Sequence, residues 1–405
     1  MTSKDKQIIQ ELAKKYTQLA NLPINKERRE RACDINDLKQ RRPVVWLHEI
    51  PWHEMNIDDK LTLQCDDDFA RKMEGFFRGE LYRWEYIQAD MVLEPFYPIY
   101  KHYTNSGMGI DIAETVISND DSNNIVSHHY IDQLDTMEKV MALKEPVITA
   151  HKDRDIKAAE MAHDVLGDIL PVMLRGHYIY HAPWDRIPRF RGVMPVMMDL
   201  LDNPDLMHAT IQKWTDFGVS TMLQMQEQEL LDSHIADVHC TPPYTNDIPP
   251  GHGLKNIWFR AMAQMFGDVS PAMWKEFEFD YMKPLADMCG LTYYGCCEPL
   301  ERKMPILRTL PNLRKIGVSP QANFESMAEQ IGKDFVYAHK PNPAHVSDNF
   351  DADTVRDEIK RVIKTCKAHD CAFEFVLKDI STVSYKPQNL IEWNKVVQST
   401  IDQYF

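Results

Sequence analysis

The residues best equipped for chemistry fall in one ten-residue stretch, Leu291-Thr-Tyr-Tyr-Gly-Cys-Cys-Glu-Pro-Leu300. Two thiols and a carboxyl group stand side by side there, a donor set that suits zinc, which accepts S, N and O ligands. Adjacent strand residues point to opposite sides, so both cysteines can serve one site only if the strand breaks, and Gly295 is placed to break it. Glu298 offers a proton if burial raises its pKa; its structural alternative is to cap the next helix, and that of the thiols is core filling. His339, in Phe335-Val-Tyr-Ala-His-Lys-Pro-Asn-Pro343, is a candidate ligand or general acid, or else a hydrogen-bonded rim residue. Asp237-Val-His-Cys240 adds His239 as a third donor, with Cys240 read as packing. Glu298, His339 and His239 are the catalytic candidates. The loop His177-Tyr-Ile-Tyr-His-Ala-Pro-Trp-Asp185 supplies Tyr178, Trp184 and Asp185 as walls for a flat substrate. His48, Trp52, Glu94, Tyr97 and Cys297 complete the expected substrate contacts.

These residues lie near the ends of short apolar runs separated by helical stretches, a pattern that predicts parallel strands with helices outside them. Eight strands are expected, at Pro43–Glu49, Met91–Tyr97, Ile169–Arg175, Ile235–Cys240, Leu291–Cys296, Leu313–Val318, Phe335–His339 and Ala372–Leu377. The clearest amphipathic helix puts Met207, Ile211, Trp214, Gly218, Met222 and Met225 on one face. The expectation is one (β/α)₈ barrel over 1–405, with a helical extension over 1–40, an insertion over 98–150 and an active site at the carboxyl ends of the strands.

The chain has 405 residues, 44% of them hydrophobic, and a net charge of -15, which disfavours nucleic acid as a partner. No run approaches the roughly 20 apolar residues of a membrane span. With eight cysteines in no repeated spacing, the expectation is a cytoplasmic protein without a disulfide framework. Dinucleotide, phosphate-loop and nucleophile-elbow glycine motifs are absent.

Four segments together, Arg42-Pro-Val-Val-Trp-Leu-His-Glu49, Tyr294-Gly-Cys-Cys-Glu-Pro-Leu300, Val318-Ser-Pro320 and His339-Lys-Pro-Asn-Pro-Ala344, resemble the uroporphyrinogen-decarboxylase superfamily over roughly residues 40–400. The decarboxylases of that superfamily carry an Arg-Gln-Ala-Gly-Arg segment after the first strand. Here Leu47-His-Glu-Ile-Pro-Trp52 replaces it, and Glu49 would repel a polyanionic porphyrinogen. The thiol-methylating branch carries a His-x-Cys zinc pair where this chain has Tyr294-Gly295-Cys296. What remains is similar to the cobalamin-dependent methyltransferases that begin anaerobic aryl O-demethylation. That resemblance implies transfer of a methyl group from a small aryl methyl ether to cobalt(I) on a separate corrinoid protein, a zinc ion, and a homodimer. It also implies zinc ligands spaced as Glu145, Glu160 and His181. The chain has no Asp-x-His-x-x-Gly sequence to ligate cobalt itself, so the corrinoid must come on its partner. The alternatives are a decarboxylase-like lyase with a non-porphyrin substrate and a non-catalytic docking protein for a corrinoid protein.

Overall fold

Helices α1 (Ser3–Ala20) and α2 (Pro23–Asn36) open the chain. The computed structural model describes residues 1–117, 126–234, 237–347 and 349–405. A capping box fixes the start of α1, where Thr2 and Asp5 satisfy each other's backbone N–H groups; Pro23 opens α2. Strands β1 (Val45–Leu47), β2 (Tyr97–Tyr100), β3 (Val172–Arg175), β4 (Ile179–His181), β5 (Trp258–Ala261), β6 (Leu291–Tyr294), β7 (Leu313–Val318), β8 (Val336–His339) and β9 (Ala372–Leu377) follow. Seven of them form one parallel sheet in the order β1-β9-β8-β7-β6-β5-β4. The remaining two, β2 and β3, pair in parallel with each other. Only three residues of chain separate β3 from β4, and Asp90 ties the approach to β2 to β1, its N–H donating to the Val45 carbonyl (3.0 Å) and its carboxylate accepting from the Val45 N–H (2.8 Å). The architecture is an α/β barrel whose wall is split on one side.

Register sorts the strand residues into two sets. Val45, Leu47, Phe259, Ala261, Tyr294, Ile316, Val318, Tyr337, Phe373, Phe375 and Leu377 join the main core beneath helices such as α4 (Pro204–Glu227) and α5 (Ala352–Ala368), whereas α3 (Lys152–Leu166) joins α1 and β2 in a separate core. Their sequence neighbours Trp46, Arg260, Tyr293, Lys315, Glu374 and Val376 point into the barrel. Its interior is therefore far more charged than the apolar runs suggest.

Two expected strands need correction. Among the described residues of Ile235–Cys240, 237–240 form bends rather than a strand; 235 and 236 lie outside the described residues. The strand in that position is β5, whose apolar run is interrupted by the inward-facing Arg260. The segment after Asp237 instead threads the interior: the Thr241 hydroxyl accepts from Lys315 (2.6 Å), the Pro243 carbonyl accepts from the Trp258 indole (3.0 Å), and Asn36 binds the carbonyls of Pro242 and Tyr244. Two successive left-handed residues, His239 (φ 46°) and Cys240 (φ 74°), turn the chain into this path. The second correction shifts Met91–Tyr97 toward the carboxyl side, to Tyr97–Tyr100, and leaves β2 and β3 outside the main sheet.

Candidate active site

At the mouth, the strand-breaking expectation for Gly295 is met. Its φ is +90°, and a Cβ there would lie 2.4 Å from Leu300 Cδ1 and 3.3 Å from the Gly317 carbonyl. Released from strand alternation, Cys296 and Cys297 bring their sulfurs to 3.7 Å. The Cys297 thiol donates to Asp379 (3.2 Å), and the donor atoms of Cys296, Cys297 and Asp379 all lie within 4.8 Å of one another. A second such group, His48, Glu49 and Cys240, stands beside it. His239 Nε2 lies 3.9 Å from the Cys296 sulfur, and its ring packs on Tyr180.

The Lys378 ammonium sits in the middle. It lies 3.0 Å from Cys296 Sγ, 3.1 Å from Asp379, 3.2 Å from His239 Nε2 and 3.7 Å from Glu49. The neighbouring Cys297 thiol, the His239 ring and the charges of Lys378 and Arg260 hold the Cys296 thiol well below its ordinary range, against the effect of burial. Burial lowers His239 to about 4, and Arg260 and Lys378 act in the same direction, so its ring is neutral at pH 7. Burial opposes a charged His48, yet Asp237 (3.3 Å) and Cys240 (3.3 Å) overcome it and raise the imidazole to about 10.

His48 also borders a cavity of ≈ 920 Å³ that occupies the split between β1 and the β2–β3 pair. Its aromatic walls include Trp46, Phe96, Tyr97, Tyr244 and Trp258. Glu94 lines it as well, held by Arg29 (2.5 Å) and the Tyr244 hydroxyl (2.8 Å). His48, Glu94 and Tyr97 thus share one cavity. Tyr178 packs inside the barrel with Val238, Trp258 and Tyr293. The remaining wall candidates stand apart. Trp184 is buried, its indole donating to the Phe277 carbonyl (2.9 Å); Asp185 accepts from Gln264; Trp52 lies exposed against Tyr82.

The three catalytic candidates do not converge. Glu298 is buried, and its two oxygens accept from the N–H groups of Ala263 (3.1 Å) and Cys296 (2.9 Å). Burial and the Cys296 charge push it up to about 7, but its contacts make it a clamp on the cysteine turn. His339 points away from the mouth. It belongs to the helix-facing set, opposite Phe375, and hydrogen-bonds Glu358 of α5 (2.9 Å). His239 alone joins the thiols.

Glu145, Glu160 and His181 form no ligand group. Glu160 is exposed on α3; Glu145, also exposed, accepts from Ser220. His181 faces α4, where Gly218 makes room for its ring, and burial lowers it to about 3. Strand parity sends it outward, as it does His339. Parity would also have found Trp46, Arg260 and Lys378; nothing in the sequence marked the cavity partners Arg29 and Tyr244, which come from distant segments.

No protein-family model matches the chain, and no curated protein matches it. Among solved structures, a methyltransferase from Methanosarcina mazei is similar in backbone, with a TM-score of 0.49 and 12% identity, over 93% of this chain and 98% of that one. No helix here is long and apolar enough to cross a membrane, among the described residues.

Proposed function

We propose that this chain is a methyltransferase that takes the methyl group of a small aryl methyl ether and passes it to cobalt(I) of a corrinoid carried by a separate protein. The observation that carries this reading is the convergence of Cys296, Asp379 and His239 around one positive charge at the barrel mouth, with Cys297 against Cys296 and Asp379, beside an aromatic-walled cavity.

The same donors fit zinc. Two thiolates on one tetrahedral zinc, each at about 2.3 Å, lie ~3.8 Å apart, and the two sulfurs here are 3.7 Å apart. The Lys378 ammonium stands among the same donors, so an ion would bind there only with that ammonium displaced. Cys296, Cys297 and Asp379 would hold the ion, which would supply Lewis-acid stabilisation of the departing oxygen.

The protein's own groups account for the rest. Trp46, Tyr97 and Trp258 offer faces against which an aromatic ring can stack. Cobalt(I) is the nucleophile, so alignment of the methyl carbon with the incoming partner is the main task, and a fixed cavity supplies it as effective molarity. Against the effect of burial, Asp237 and Cys240 favour His48 as a cation at the cavity wall, which makes it a proton source for a departing phenolate, and Asp237 holds the ring in place. Glu298 keeps Cys296 in position through its backbone.

The test mixes the purified protein, a reduced corrinoid protein and a panel of methoxylated aromatics. Conversion of cobalt(I) to methyl-cobalt(III), read from the corrinoid spectrum, is the expected result. Release of carbon dioxide from a carboxylated donor without cobalt methylation would replace this reading with the lyase.

A further inference from the structure

Of the eight cysteines, six are buried and two, Cys33 and Cys297, are half-buried. The neighbours of the Cys33 sulfur are the Asp37 carboxylate (3.6 Å) and the Asn246 amide (3.0 Å). Cys297 differs, because its sulfur stands 3.7 Å from that of Cys296. A thiol that reaches solvent with a second sulfur against it is the arrangement in which oxidation ends in a disulfide, rather than climbing to the irreversible sulfinic acid.

The backbone brings the two sulfurs together. Gly295 (φ +90°) ends the strand, so neighbouring side chains that would point to opposite faces come to one side. The sulfurs have to close from 3.7 Å to the ~2.05 Å of a disulfide. Neighbouring Cα atoms lie only ~3.8 Å apart, below the roughly 4.4–6.8 Å usual in disulfides, so the bond is strained and easily reduced. Such a bond suits a reversible mark and not a structural cross-link.

We propose that Cys296 and Cys297 form an oxidation site, where a peroxide joins the two sulfurs in a disulfide that shuts down the cluster and a small thiol reopens it. Cys297, the sulfur that reaches solvent, meets the peroxide first. Its proton leaves by way of Asp379, which already accepts its hydrogen bond (3.2 Å). The sulfur takes one peroxide oxygen, the O–O bond breaks, and the departing hydroxide picks up a proton to leave as water. Cys297 is then a sulfenic acid. Cys296, whose sulfur lies 3.0 Å from the Lys378 ammonium, attacks the Cys297 sulfur; the S–S bond forms and the sulfenic hydroxyl leaves as a second water. Two thiols and one peroxide thus give one disulfide and two waters. The modification stands on the two sulfurs alone; its consequence, arrest of methyl transfer, rests on the methyltransferase reading.

The experiment reads the modification by mass, so it needs no turnover. The full chain, reduced and freed of metal with a chelator, is treated with one equivalent of hydrogen peroxide. The intact mass should fall by two hydrogens. A chymotryptic peptide cut after Tyr294, which holds both cysteines and excludes Cys289, should carry them joined, and dithiothreitol should restore both thiols. In Cys296→Ser the Cys297 sulfenic acid has no sulfur to close on, so dimedone should label Cys297 at least about tenfold more than in wild type. The proposal is overturned if wild-type Cys297 gains two oxygens without a disulfide, if Cys33 or a buried cysteine is oxidised first, or if dithiothreitol leaves the pair oxidised. Where corrinoid methylation is observed, it should drop at least about tenfold on oxidation and return on reduction; undiminished transfer by the disulfide form overturns the switch. A reversible disulfide in a chain that methylates no corrinoid leaves this site standing and removes only the reaction assigned above.

Discussion

The Cys297 thiol, the His239 ring and the Lys378 ammonium favour the negative form of Cys296 against the effect of burial. That makes it the residue whose reactivity can be measured apart from any reaction. Alkylation of Cys296 by iodoacetamide, followed by mass spectrometry, should proceed at a nearly constant rate between pH 5 and 8 once corrected for access. In Lys378→Met the thiol should titrate closer to an ordinary cysteine, near 8.5, so the rate should fall roughly tenfold per pH unit below that point. A wild-type rate that climbs steeply from pH 6 to 8 would show that Cys296 is a neutral thiol. Glu298 permits a second test. In Glu298→Gln, the amide NH₂ must face one of two buried N–H donors, which leaves a donor unsatisfied at a cost of about 1–3 kcal/mol. Denaturant unfolding should show that loss, accompanied by slower alkylation of Cys296. Full stability together with lost turnover would return Glu298 to the role of proton donor.

Elements decided which sequence signals meant what. The alternation of strands and helices, the strand break at Gly295 and the gathering of polar groups at the mouth were legible, because each follows from local backbone geometry. The strand-end histidines were misread because proximity to a strand end says nothing about which side a residue faces: His339 and His181 belong to the helix-facing set, whereas Lys340 and Lys378 face the interior. The segment after Asp237 looked like a strand because its composition is strand-like. Its path through the barrel depends on contacts with Asn36, Trp258 and Lys315, which no local pattern encodes. His339 has a structural task that can be measured. Although burial opposes ionisation of Glu358, the hydrogen bond to His339 and the close approach of His345 (3.2 Å) lower its carboxyl to about 2 from an ordinary 4.5. A carboxylate with a depressed folded pKa adds stability that is complete above its unfolded value and disappears as the pH falls through the folded one. Glu358→Gln should therefore cost about 3 kcal/mol at pH 6, and the difference from wild type should shrink between pH 4.5 and 2. An equal difference at pH 6 and pH 2.5 in chemical denaturation would contradict this assignment.

For the whole molecule, the split barrel wall is the feature on which the proposed function turns. A closed eight-stranded sheet would fill its own centre with side chains. Here β2 and β3 stand off from β1, and the gap becomes a cavity that begins near α2 and ends at His48, one hydrogen bond from Cys240 and next to the thiol cluster. A methyl donor lying in that cavity would face the thiol cluster only past its His48 end, and reversible docking of a corrinoid protein on the mouth calls for an interface of modest area. The account therefore stands or falls on whether methyl transfer depends on Cys296. Single-turnover methylation of a reduced corrinoid protein should be followed by stopped-flow spectroscopy for wild type and Cys296→Ser, using whichever methoxylated aromatic supports transfer. The predicted result is a rate at least about a hundredfold lower in Cys296→Ser, the scale expected for loss of a positioned catalytic group, with donor binding and melting temperature unchanged. Transfer at the wild-type rate in Cys296→Ser would contradict the account.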